Sequence, residues 1–538
     1  MENFIKLFEQ SVNGCWNEMA LADFRKSSCT YGELAGDIAA LHQLWSRAGL
    51  QKGDRIALNA RSCSNWVKIF MASVCGGYCS VELFNGFTAS ATSQLVCHSG
   101  SRLLYTEKNI FDGMNFDDMP EVIAAIDVVT GELLAARGDF KALYEEFKNS
   151  RPQLKEGSVH YGERPMEEVC AIMYTSGSTG SPKGVMLTVK NFSANVYIIP
   201  EMMPFRKGEN YLSMLPYAHI FGLTVDAIIP LCKGLHLTIL CLPPIPRFLK
   251  EALAETRPHV FFGVPLIFIK FIEDSIGSLM DKEKINAENP DEEYLKMLAD
   301  KLTADMGGNV EVFATGGAAI PHDLENLLAF KLKVPFVTGY GMTECAPIIS
   351  VGVKGKYKAR SCGVYVDNLE LRIASDDPAT IPGEVQVRGD EVFKGYYHND
   401  EATAAAFTED GWFRTGDMGT VDSEKNLFLV GRCKNMLLSA NGQNVYPEEI
   451  EVYLNAMPYV TESLIVQRGN ALVALIVVNP DAVAAAGLDA DSLDGIMHGN
   501  IAKLNKLIPA YSAVAGFELR YEPFVKTPKG SIRRFMYK

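Results

Sequence analysis

From residue 170 to about 345 the chain repeats one unit: a short apolar run, a loop marked by glycine or proline, and then a stretch with helical spacing. CAIMY (170–174) precedes a glycine-rich loop and VKNFSANVYIIPEM (189–202) follows it. YLSML is followed by FGLTVDAIIPL and LHLTIL; HVFFG leads into PLIFIKFIEDSI, VEVFA into PHDLENLLAFKL, and PFVTG into YGMTE. Strands that alternate with helices imply a mostly parallel sheet covered on both faces, an α/β fold. The first 150 residues have the same texture, with YGELAGDIAALHQLWSRAG predicted as a helix and RIALN as a strand.

After residue 360 the pattern changes. LELRIA, GEVQVRG and the hairpin GTVDSEKNLFLVG predict an antiparallel, β-barrel-like subdomain over about 360–433. Beyond 433 come a helix from Pro447, the hairpin ESLIVQRGNALVALIVV and a helix from Asp491. The expected organisation is a large domain over 1–433 and a small, mobile α+β domain over 434–538. DKEKINAENPDEEYLKMLAD (281–300) reads as a solvated insertion.

A chain of 538 residues exceeds one ordinary core, so two to four structural units are expected. Its net charge of −14 argues against a nucleic-acid partner or an anionic membrane face. MENFIKLFEQ does not read as a signal peptide, and AIIPLCKGLHLTILCLPPIP is broken by Lys233, His236 and prolines, so no transmembrane segment and a cytoplasmic location are expected. The twelve cysteines form no regular framework. Cys75 and Cys79, with Cys97 and His98 further on, are the nearest thing to a ligand set, but no second pair has zinc-like spacing, and reduced, buried thiols are the better reading.

The stretch YTSGSTGSPKGV (174–185) carries the first chemistry. A strand, a glycine-rich turn and then a helix would aim backbone N–H groups at an anion. Hydroxyls at Thr175, Ser176, Ser178 and Thr179, glycines at 177, 180 and 184, and the charge of Lys183 suit a polyphosphate. The common nucleotide loop G-x-x-x-x-G-K-[ST] is not matched, and a plain flexible loop is the alternative. TGGAAI (315–320) and GYGMTE (339–344) each follow a strand, where α/β sheets place ligands, and GWFRTGDMG (411–419) and GRCKNMLLSANGQNVYPEEIE (431–451) come after them.

In order and spacing, these motifs resemble the adenylate-forming superfamily of acyl-CoA synthetases, luciferases and peptide-synthetase adenylation domains. The resemblance runs from Tyr174 to Arg534 and is greatest to bacterial medium- and long-chain fatty acid–CoA ligases. It implies that Thr175, Ser176, Gly177, Ser178, Thr179, Gly180 and Lys183 clamp the β- and γ-phosphates of ATP. Gly316, Gly317 and Ala318 would wall the adenine, on which Tyr340 stacks beside Gly341. Thr343 and Glu344 would meet the α-phosphate and Mg²⁺, which favours one or two carboxylates plus phosphate oxygens. Asp417 and Arg432 would hold the ribose. Lys434 falls at the hinge between the domains, and Gly442 belongs to a segment that turns in for the thioester step. His219, Phe221 and Gly222 would line the acyl pocket, with His219 positioning the carboxylate rather than acting as a base.

The family ending P-x-T-x-x-G-K stands here as FVKTPKGSIRR, with Ser531 in place of the lysine. Lys529 or Lys526 is expected to take its role. The expected activity joins a fatty acid to coenzyme A through acyl-AMP, with ATP and Mg²⁺. Transfer to a separate carrier protein is one alternative and a non-catalytic nucleotide- and acyl-binding sensor another; a homodimer is compatible with the sequence. The acyl stretches YAHIFGLTVDAIIPL and FFGVPLIFIKF read as apolar with no marked buried charge, which fits an aliphatic acid better than an amino acid.

Overall fold

The computed structural model describes residues 1–538 apart from 149–150, 176–181, 288, 439–442, 470, 528–530 and 538, and apart from the side chains of 282 and 438. The largest sheet has eight described strands. Its centre is parallel, running Val169–Thr175, Cys79–Glu82, Arg55–Asn59, Ser101–Thr106 and Ala124–Asp127. Leu133–Ala136 closes one side antiparallel, and Lys183–Thr188 and Gly395–Tyr396 close the other. A five-stranded sheet starts with the parallel strands Val260–Gly263, Val312–Thr315 and Phe336–Gly341 and turns antiparallel through Ile348–Val351 and Val364–Tyr365. Together they give the expected α/β fold, with mixed sheets in the large N-terminal domain.

Local chemistry sets the helices that cover these sheets. Thr30 and Glu33 form a reciprocal capping box at the start of Tyr31–Arg47, whose apolar face buries Leu34, Ile38, Leu41 and Trp45. Thr188 and Asn191 do the same for Val189–Met202, and the amide of Asn191 also donates to the carbonyls of Asp390 and Val392. That one side chain therefore starts a helix and fixes the approach to Tyr396.

The subdomain after residue 360 is an open four-stranded antiparallel sheet, Leu369–Ala374, Gly383–Gly389, Phe413–Val421 and Leu427–Arg432, rather than a closed barrel. The smaller C-terminal domain packs helices Pro447–Asn455 and Ala490–Leu507 on the sheet Val460–Arg468, Ala471–Val478 and Val514–Arg520, around its own core of Leu454, Ile476, Met497 and Leu504. Among the described residues no helix is long and apolar enough to cross a membrane.

The stretch expected to be a solvated insertion is partly core. Lys282–Asn286 and Glu292–Asp305 are helices, and Leu295, Leu298 and Leu302, at helical spacing, are buried beside Phe268 and Phe271. The charge of the segment masked a single apolar stripe.

Glu82 ends a central strand at 0 % exposure, and neither of its carboxylate oxygens has a hydrogen-bond partner among the described residues. Burial pushes its carboxyl up to about 8. Between its unfolded value of about 4.3 and this folded value the native state holds a proton that the unfolded chain has released, so stability falls as pH rises through that window. Glu82→Gln should flatten the fall, making the variant more stable than the parent by about 5 kcal/mol at pH 9 and nearly equal at pH 4. Denaturant unfolding across that range checks it.

Candidate active site

The structure revises the context of the glycine loop. Lys183–Thr188 is a strand, paired antiparallel with Val169–Thr175 so that Thr175 faces Lys183, and the helix starts only at Val189. The loop therefore joins two strands and has no helix terminus behind it. The run after the loop finds hydrogen-bonding partners on both sides, Val169–Thr175 and Gly395–Tyr396, and these ladders outweigh helix formation. Ser176, Gly177, Ser178, Thr179 and Gly180 lie outside the described residues. The Lys183 ammonium sits 4.8 Å from the centre of the Tyr396 ring, a cation–π contact.

Tyr396 links this hairpin to the next motif. Its hydroxyl donates to Glu344 at 2.9 Å, and Glu344 lies on the short turn Thr343–Cys345 that follows the strand Phe336–Gly341. A β-carbon at Gly341 would lie 2.1 Å from the Pro347 carbonyl oxygen, so only glycine lets the chain fold back here. Burial, followed by the charge of Glu344, drives the Tyr396 hydroxyl well above its usual range, so it remains a donor.

Asp417 is the best-connected acid of the site. Its side chain is 8 % exposed; one oxygen lies 2.7 Å from Arg432 Nε and the other accepts from the Tyr340 hydroxyl at 2.5 Å. Strand register puts Asp417 directly across from Arg432. Burial raises the Asp417 carboxyl, and the Arg432 charge and the Tyr340 bond oppose that rise. The Tyr340 side chain is itself buried in the main core, with its hydroxyl as the polar end turned to Asp417.

Between these elements and the C-terminal domain lies a cleft of about 850 Å³. It gathers Thr175, Lys183, Gly341, Thr343, Glu344, Arg432, Lys434 and Ser531 from the sequence-derived set. The Lys434 ammonium is held below its usual value, chiefly by burial and then by the Arg432 charge. Lys526 is paired with Glu462. Lys529 and Gly442 lie outside the described residues.

The remaining predicted residues form a second group. Gly316 is buried, and a β-carbon there would lie 3.3 Å from the Gly339 carbonyl oxygen and 3.5 Å from the Phe221 ring; Gly317 and Ala318 are exposed. The His219 ring lies 4.9 Å from that of Phe84, and Phe221 meets Phe262 edge-on at 5.9 Å. Gly222 packs on backbone, since a β-carbon would come 2.4 Å from the Pro216 carbonyl oxygen. This stretch does hold a buried acid. Asp226 accepts from the Tyr211 hydroxyl at 2.7 Å and from the backbone N–H groups of Met214 and Leu215 at 3.0 and 2.9 Å. Burial pushes its carboxyl up to about 6 against those bonds. The acid fixes the loop that presents His219.

Sequence reasoning missed Tyr396, Asn435, Glu448 and Arg533, all of which line the cleft. FKGYYHND matches none of the motifs read from the sequence, and the strand pairing of Tyr396 with Val185 reveals its place. Among the described residues no group of three His, Cys, Asp or Glu side chains is arranged to hold a metal ion, and Cys75 and Cys79 are buried free thiols.

A family model described as AMP-binding enzyme matches residues 8–397, and one described as AMP-binding enzyme C-terminal domain matches 434–537. A 4-coumarate–CoA ligase of Narcissus pseudonarcissus is 29 % identical, over 79 % of this chain and 73 % of its own length. A long-chain-fatty-acid–CoA ligase of Mycobacterium bovis is 26 % identical, over 88 % and 80 %. ATP-bound MatB from Rhodopseudomonas palustris superposes with a TM-score of 0.78 at 21 % identity, covering 99 % of this chain and 98 % of its own.

Replacing Asp417 by Ala strands Arg432 and the buried Tyr340 hydroxyl. Asp417→Ala should weaken ATP binding at least about tenfold by calorimetry and lower the unfolding free energy by about 1–3 kcal/mol. Unaltered ATP affinity with lowered stability would reduce Asp417 to a structural acid.

Proposed function

The chain belongs to the AMP-binding enzyme family, and from that membership we propose that it is an ATP-dependent acyl-CoA synthetase acting on a fatty acid. The observation that carries the reading is the cleft itself. It brings the phosphate-side residues Thr175 and Lys183, the acid–hydroxyl pair Glu344 and Thr343, and Arg432, fixed on Asp417, to face a hairpin of the C-terminal domain.

In this reading a carboxylate oxygen attacks the α-phosphorus of ATP, the bond to the pyrophosphate oxygen breaks, and acyl-AMP forms. No proton need move, which suits a site where His219 positions rather than deprotonates. Lys183 and the hydroxyl of Thr175 neutralise the departing phosphates. Glu344, with Thr343, would hold a Mg²⁺ ion, which needs only one or two protein carboxylates and would neutralise phosphate charge there. Tyr396 holds Glu344 in place. The thiolate of coenzyme A then attacks the acyl carbonyl and AMP leaves. In this reading the two domains meet at the short 3-10 turn Cys433–Asn435, and rotation about Lys434 would admit the thiol.

An aliphatic acid is favoured by the rings of Phe221, Phe262 and Phe84 around the second residue group, and by Asp226, whose oxygens are already engaged and leave no acid for a substrate ammonium. An aromatic acid is the second reading, favoured by the coumarate-ligase relative at 29 % identity.

The test is AMP and pyrophosphate release from ATP and Mg²⁺ with acids from acetate to palmitate, plus 4-coumarate, with and without coenzyme A. Release that requires a fatty acid and coenzyme A is expected. Preference for 4-coumarate replaces the substrate. Pyrophosphate without thioester points to a carrier-protein acceptor, and ATP binding without release points to a sensor.

A further inference from the structure

Adenylate formation concentrates negative charge at the α-phosphate, beside Thr343 and Glu344, so the cleft must supply cations that are not already neutralised. Half of its described cations are engaged. Arg432 is spent on Asp417, Arg414 lies 3.0 Å from Glu384, and Arg534 pairs with Glu451 and approaches Glu448 at 3.8 Å. Lys526, one of the two substitutes expected for the lysine missing at 531, is bound to Glu462 and does not line the cleft. Among the described residues of the cleft, three cationic side chains make no ion pair: Lys183, which lies over the Tyr396 ring on the side of Thr175, Lys434 at the hinge, and Arg533 on the arm that the C-terminal domain presents to the cleft.

The hairpin explains why Arg533 can act in place of a residue at 531. The Thr527 N–H donates to the Ser531 carbonyl at 2.8 Å, Lys526 bridges to Ile532 antiparallel, and the Arg533 N–H donates to the Val525 carbonyl at 2.9 Å. In such an extended arm, residues 531 and 533 project to the same side, about 6.6 Å apart along the chain. Both line the cleft. Ile532, which also lines the cleft, and Tyr537 pack against the buried cluster of Leu464, Leu475 and Phe524 and anchor the arm. A long guanidinium can cover a two-residue offset, and its planar fork matches two phosphate oxygens at once.

We propose that Arg533 is the cation with which the C-terminal domain neutralises the α-phosphate during adenylate formation, the task that family resemblance gives to a lysine at the position of Ser531. The proposal rests on the synthetase reading. It needs no co-reactant: the carboxylate–phosphorus bond forms, the phosphorus–pyrophosphate bond breaks, and Arg533 keeps its proton throughout.

The test separates the two half-reactions in the full-length protein. Arg533→Ala should lower acid-dependent ATP–pyrophosphate exchange about 100-fold or more, while thioester formation from supplied acyl-adenylate and coenzyme A stays within about threefold of the parent. Arg533→Lys should be intermediate. Adding Ser531→Lys to Arg533→Ala should restore exchange at least tenfold, which a merely structural role would not allow. Exchange unaffected by Arg533→Ala but lost in Lys529→Ala overturns the proposal, as does equal loss of both half-reactions. Calorimetry with ATP and with adenosine distinguishes failure of the underlying reading. If the parent shows no exchange with any acid, the synthetase reading falls, and Arg533 is then judged by binding: Arg533→Ala must weaken ATP and spare adenosine, and unchanged ATP affinity overturns it.

Discussion

The pairing of Asp417 with Arg432 and Tyr340 is the constraint on which the rest of the site depends. Tyr340 belongs to the five-stranded sheet, Asp417 and Arg432 to adjacent strands of the four-stranded antiparallel sheet, and Lys434 follows Arg432 by two residues. A single buried carboxylate therefore joins the parallel-rich part of the fold to the antiparallel subdomain and fixes the point at which the chain leaves for its C-terminal domain. A buried acid is costly unless both oxygens are bonded, and here both are.

A second set of contacts runs along the cleft wall that carries Lys183. Lys183 lies over Tyr396, Tyr396 donates to Glu344, and Asn191 anchors the segment that delivers Tyr396. On the opposite wall Glu451, buried and pushed up to about 7 by desolvation, is bound by Arg534 and by the Ile465 N–H. That pair anchors the short terminal helix Arg534–Tyr537, so the hairpin carrying Ser531 and Arg533 projects from a fixed base. The result is a cleft with one rigid wall from each domain.

Much of this was legible in the residues. The apolar runs at 55–59, 170–174, 259–263 and 310–314 carry strands, the helical spacing over 31–49 and 189–202 carries helices, and residues from the motifs 339–344 and 411–435 line one cleft. What was not legible depended on partners distant in sequence. The run 183–188 fits a helix or a strand until Gly395–Tyr396 supplies its second edge. Asp226 hides inside an apolar stretch because its partners, Tyr211, Met214 and Leu215, belong to another element. Lys526 and Arg533 look equivalent in FVKTPKGSIRR, and only Glu462, 64 residues away, separates them.

The most direct test of the central claim, that a carboxylate attacks the α-phosphorus in this cleft, is to follow oxygen. A fatty acid labelled with ¹⁸O in both carboxylate positions is turned over with ATP and coenzyme A, and the AMP and pyrophosphate are analysed by mass spectrometry. Direct attack predicts one ¹⁸O in each AMP formed and none in pyrophosphate. Unlabelled AMP would contradict the account.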